Sequence, residues 1–125
     1  MHRSRIGVVL IDHPATSYDS ATAFWGAAAG VTPEPLQGEP YASLGHLGDV
    51  ELATQRYDDA SPPRVHLDVE TDDVEAELSR LQALGATVTD HRDGYVIMAD
   101  PGGLVFCVVH VQSGELFERA ATTWP

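Results

Sequence analysis

Apolar and polar residues alternate from Val65 to Val69, with Val65, Leu67 and Val69 on one side and His66 and Asp68 on the other. That two-residue period predicts a strand with one face packed on helices and the other presenting polar groups. From Asp72 the period becomes helical. Val74, Leu78, Leu81 and Leu84 form an apolar stripe, Asp72 is placed to cap it with Glu75 three residues on, and Gly85 ends it. Thr87–Thr89, Tyr95–Ala99 and Leu104–Val111 then predict three strands, with turns at Asp93-Gly94 and over Asp100–Gly103.

A fainter copy of this layout precedes it. Ile6–Ile11 is a continuous apolar run of the buried-strand kind, followed by a loop in which Ser17 or Asp19 can cap a helix. Ala21, Phe24, Trp25 and Ala28 recur on one face of that helix, which predicts Trp25 in the core, and Gly30 supplies the stop. The proline-bearing stretch Val31–Pro40 admits only a short edge strand near Leu36. Tyr41–Leu47 and Val50–Tyr57 follow as a hairpin through Gly48-Asp49. Ser61-Pro62-Pro63 is a stiff connector between the copies. The pattern therefore predicts a single α+β domain over 1–125: two tandem βαβββ modules, about 5–57 and 64–111, and a tail over 112–125. Arg5-Ile6-Gly7 aligns with Arg64-Val65-His66, so one copy places an imidazole where the other has no side chain.

Composition narrows the partners. With 43% hydrophobic and 21% charged residues the chain is globular in character. The formal charge of −12, with seven arginines and no lysine, repels phosphate backbones and anionic lipids, which argues against nucleic acid and membrane surfaces. No apolar run approaches the roughly 20 residues that span a bilayer. Asp12 interrupts the first apolar run too early for a secretory leader, and Cys107 is the only cysteine, so a cytoplasmic, reducing setting is expected. Its neighbours Phe106 and Val108 predict a buried thiol. His13, His46, His91 and His110 fall at turns or strand ends and read as solvated.

The segments VHLDVETDDVEAELSRLQALGATV (65–88) and ADPGGLVFCVV (99–109) resemble the vicinal oxygen chelate superfamily, in its small glyoxalase-like and bleomycin-resistance-like branch. LIDHPATSYDSATAFW and ELATQRYDD look like the first strand and helix and the fourth strand of the same fold. The resemblance implies a curved mixed sheet around a central cleft between the modules. It also implies a homodimer, since such proteins commonly pair modules to build each cleft. In metal-using members, ligands come from the first, fourth, fifth and eighth strands. Here those positions fall at or near Gly7, on Glu51 or Gln55, on His66 and on Cys107.

Gly7 offers no donor and Cys107 replaces a carboxylate, so no cofactor is expected. Should a divalent metal bind, His66, Glu51 and Cys107 are its implied ligands. His66 either hydrogen-bonds Asp68 in a purely structural role or serves as a general base or polar anchor, without needing a metal. The leading expectation is a protein that binds a small organic molecule in the inter-module cleft, lined by Gly7, Glu51, Gln55, His66, Asp68 and Cys107. The alternatives are a metal-dependent or His66-based lyase, isomerase or dioxygenase, and a non-catalytic structural or regulatory partner.

Overall fold

The computed structural model describes residues 1–125. Its architecture is α+β. The chain runs β1 (His2–Pro14), α1 (Ala15–Ala29), β2 (Glu34–Pro35), β3 (Tyr41–Leu47), β4 (Val50–Tyr57), β5 (Arg64–Thr71), α2 (Val74–Ala83), β6 (Thr87–Arg92), β7 (Tyr95–Ala99), β8 (Val105–His110), α3 (Glu115–Ala120) and β9 (Thr122–Trp124). The order βαβββ thus occurs twice before a short helix and strand. Two compact units result: Met1–Gly7 with His66–Pro125, and Val8–Val65. No helix is long and apolar enough to cross a membrane.

In the unit Val8–Val65, β1 and β4 pair in parallel with Val8 opposite Glu51 and Leu10 opposite Ala53, and β3 adds antiparallel to β4. Val8, Leu10 and Ala53 form its buried cluster, with Tyr41 packed against them. Helix α1 departs from the sequence expectation. It starts at Ala15 behind Pro14 with no side-chain cap, so neither Ser17 nor Asp19 caps it, while Gly30 does end it in the left-handed conformation. Phe24 and Trp25 are 62% and 39% exposed, so Trp25 is not a core residue. The two rings pack edge to face at 5.1 Å on the surface. The helix meets the sheet through Thr22, whose hydroxyl donates to that of the fully buried Thr54 at 2.9 Å. Its one buried position is Gly26, where a Cβ would come within 2.7 Å of Pro33 Cγ as the chain folds back.

In the other unit, β5 and β8 pair in parallel and β7 and β6 follow antiparallel. Leu78 of α2 packs on Val96, Met98 and Val108, the core that the stripe predicted. The cap of α2 lies one residue later than expected: Asp73, not Asp72, accepts from the Ala76 N–H at 3.0 Å, and Glu75 therefore makes no capping box with it. Asp72 instead accepts from the Arg3 N–H at 2.8 Å, while the Arg3 carbonyl accepts from Asp72 N–H.

The tail is ordered where the sequence suggested no elements. β9 pairs antiparallel with the start of β1, the Trp124 indole N–H donates to Ser4, and Phe117 of α3 is buried. Beneath it Glu77 is fully buried, 2.8 Å from His2 Nε2 and held by two bonds from Arg80, whose guanidinium stacks 3.8 Å above the Trp124 ring. Burial pushes the Glu77 carboxyl up, but hydrogen bonds from Arg80, Ser4 and His2 outweigh it and hold the carboxyl below its ordinary range.

Candidate functional site

Parallel pairing places Asp68 of β5 directly against Cys107 of β8, and antiparallel pairing places Ile97 of β7 on the other side of Cys107. His66 stands two residues before Asp68 and so shares its strand face. His66 is 7% exposed, and its Nε2 lies 3.4 Å from Asp68 Oδ1. One donor atom each from His66, Asp68 and Cys107 falls within 4.8 Å of the others. Rigid hydrogen-bonded strands carry all three, so no loop must order to assemble them. Cys107 is half-buried rather than buried, which corrects the expectation drawn from its apolar neighbours. Its strand neighbours Phe106 and Val108 point to the opposite, helix-covered face, whereas the thiol shares a face with Asp68.

The polar face continues one step further than the sequence suggested. Glu70, 1% exposed, accepts from Arg5 Nη1 at 3.5 Å, from the Gln112 N–H at 3.2 Å and from the Ser113 hydroxyl. The i, i+2 spacing after His66 and Asp68 already pointed to it. What the sequence could not show was its cover, since Ser113 belongs to the tail.

Gly7 lies in the same unit as His66 and makes room for Glu70: a Cβ there would stand 2.9 Å from Glu70 Oε2. Its missing side chain serves packing. Glu51 and Gln55 share a face of β4 in the other unit, where Tyr41 lies opposite Gln55 and donates its hydroxyl to Glu51 at 2.5 Å. The donor standing with His66 and Cys107 is thus Asp68, where the resemblance implied Glu51. Of the remaining histidines, His46, His91 and His110 are exposed as expected, and His13 is half-buried with Nδ1 3.2 Å from the Ser17 hydroxyl.

A shallow depression of about 470 Å³ lies elsewhere in the unit, bordered by Asp73, Glu75, Arg92, Tyr95 and His110. It contains none of the three converging donors. It is open and flanked by carboxylates, whereas His66 and its neighbours combine burial with convergent chemistry, which is the better mark of a site.

Residues 8–109 match the family model described as a glyoxalase-like domain. No curated protein matches the chain in sequence. Among solved structures, an NAD-dependent benzaldehyde dehydrogenase from Legionella pneumophila is similar at 10% identity and TM-score 0.63, over 84% of this chain and 98% of that one. A glyoxalase/bleomycin resistance protein/dioxygenase superfamily member from Vibrio splendidus 12B01 is similar at 14% identity and TM-score 0.55, over 89% of this chain and 100% of that one. A Mn(II)-bound glyoxalase from Novosphingobium aromaticivorans is similar at 20% identity and TM-score 0.56, over 88% of this chain and 40% of that one. At these identities the likenesses speak to fold alone.

Proposed function

This chain belongs to the glyoxalase-like domain family, and from that premise we propose that it binds a small organic molecule against the strand face carrying His66, Asp68 and Cys107, with no metal required for that binding. The observation that carries the reading is His66, buried on a strand beside Asp68 and next to a half-buried thiol. Burial of an imidazole with a carboxylate partner fixes its orientation, so it can accept or donate one hydrogen bond to a ligand. Ile97, which stands opposite Cys107 on β7, supplies apolar surface beside it. Glu70 is already held by Arg5, which leaves Asp68, beside His66, as the more accessible carboxylate of that face. A ligand with a hydrogen-bond donor or a positive charge is therefore favoured over an anion. The same reading takes the protein as a cytoplasmic homodimer.

A second reading follows from the Asp68–His66 contact. A carboxylate that orients an imidazole is the arrangement of a general base, which fits a lyase, isomerase or dioxygenase relative acting on a bound substrate.

The test is a thermal-shift panel on chelator-treated protein, setting planar cationic and amine-bearing metabolites against anionic thioesters and phosphates. A true ligand at 100 times its Kd should stabilise by about 2.7 kcal/mol. The gain should vanish in His66→Ala. Stabilisation by anions alone, or a gain indifferent to His66→Ala, would place the site elsewhere.

A further inference from the structure

We propose that the outward face of α1, centred on Phe24 and Ala27, is where a second copy of this chain docks, α1 against α1 about a two-fold axis. The inference rests on the homodimer reading above and names its surface, while the ligand reading at His66 stands apart from it.

Composition is the first observation. A surface helix carries charge on its solvent side, as α2 does with the exposed Glu75, whereas a helix apolar all round is normally covered. α1 has the composition of the second kind. No charged residue occurs from Ser20 to Pro33, the first turn of the helix has no acid and its last turn no base. Yet Ala23, Phe24, Ala27 and Ala28 are all exposed, Phe24 by 62%.

Geometry is the second. At about 100° per residue, Ser20, Phe24 and Ala27 fall on the side opposite Thr22, the residue that bonds Thr54 of the sheet. Trp25 stands beside them, its ring edge to face with Phe24 at 5.1 Å, so the aromatic pair forms a raised knob. Ala23, Ala27 and Ala28 leave low ground next to it. Two antiparallel helices about a two-fold axis set Phe24 of each copy on the partner's Ala27, and a two-fold interface requires such self-complementarity.

Charge selects a second copy as the occupant. The chain carries −12, so two copies repel wherever their charged surfaces meet. Across the uncharged face of α1 they touch without that cost. A charged partner finds no counter-charge there, and anionic lipid is repelled by the acidic protein as a whole. One face of a 15-residue helix, about 22 Å long and 10 Å across, falls short of the roughly 800 Å² per partner of a standard interface. The dimer should therefore be weak and concentration-dependent.

The experiment is sedimentation equilibrium of the full chain from about 1 μM to 1 mM, the range that resolves a micromolar Kd. A monomer–dimer equilibrium is expected. Phe24→Glu and Ala27→Glu should each weaken it by at least about tenfold, because each buries a charge against apolar surface. Leu47→Glu, which changes an equally exposed leucine on β3 of the same unit, should not. Raising salt from about 0.05 to 0.5 M should tighten the dimer by screening the repulsion. Pyrene on Ala27→Cys, in a Cys107→Ser background, should give excimer emission that grows with concentration. Circular dichroism establishes that each variant is folded, and Ala27→Glu keeps the comparison open if Phe24→Glu is not.

A dimer indifferent to both α1 variants, or one without excimer emission, would overturn this surface and leave the homodimer standing. A chain monomeric up to about 1 mM would overturn both. Monomers that bind neutral phosphatidylcholine vesicles through Phe24 would give the face to lipid and sink the proposal.

Discussion

In the unit Val8–Val65 the parallel pair β1/β4 sets Leu10 against Ala53, whereas in the other unit the parallel pair β5/β8 sets Asp68 against Cys107. The strand arrangement is the same and the chemistry is opposite. Leu10 is 1% exposed, and with Val8 and Ala53 it takes apolar surface out of water, which stabilises without needing a partner of defined geometry. His66, Asp68 and Glu70 place polar groups on one strand face of the other unit, at a desolvation cost that only matched contacts can offset. Glu70 has those contacts in Arg5, Ser113 and the Gln112 N–H, while Asp68 and Cys107 stay partly accessible. Each unit has its own apolar cluster, but only the unit with His66 also keeps Asp68 and Cys107 partly accessible beside a buried imidazole.

The largest effect should come from testing that contrast directly. Leu10→Ala removes a fully buried side chain and should cost about 2–5 kcal/mol, read from the urea unfolding midpoint. Asp68→Asn keeps the shape of a half-buried side chain and should cost only about 1 kcal/mol. Equal losses in the two variants would mean that the polar face is a structural network rather than a site.

A smaller, pH-bound effect should appear at Glu77. Its folded carboxyl lies below the ordinary value of 4.5, held there against burial by Arg80, Ser4 and His2. A depressed folded value means that its stabilising contribution is fully present above the unfolded value and is lost as pH falls through the folded one. Thermal midpoints of Glu77→Gln should therefore fall off less steeply on acidification than those of the parent. Parallel acid limbs would assign the acid loss to other carboxylates, with Asp72 and Glu118, both lowered by Arg3, next in line.

The smallest effect should be at Trp25. An exposed ring stacked on Phe24 should change the monomer's stability by no more than about 0.5 kcal/mol on replacement by alanine. A loss of several kcal/mol would restore the core role that helical spacing alone suggested.

Strand and turn signals were local and legible. Tyr41–Leu47, Val50–Tyr57 and Tyr95–Ala99 follow from alternation and from Gly-Asp or Asp-Gly turns, and the α2 stripe from its helical period. The α1 face was misread for a definite reason: spacing tells which residues share a helix face, but not whether another layer covers it. Phe24 and Trp25 share a surface that no layer covers, and Thr22 makes the contact with the sheet. The shift of the α2 cap from Asp72 to Asp73 has a similar origin, because Arg3, 69 residues away in sequence, engages Asp72.

The sequence by itself determined the doubled βαβββ order, the acidic, lysine-free character and the strand face bearing His66 and Asp68, since each depends on composition or on periods of two and 3.6 residues. Only the tertiary structure decided that Asp68 is the donor beside Cys107, that Gly7 is the seat of Glu70, and that the tail closes over His2, Ser4 and Glu77. Those facts rest on register and on contacts between residues dozens of positions apart, and no local period encodes which distant strand becomes a neighbour or how far it slides.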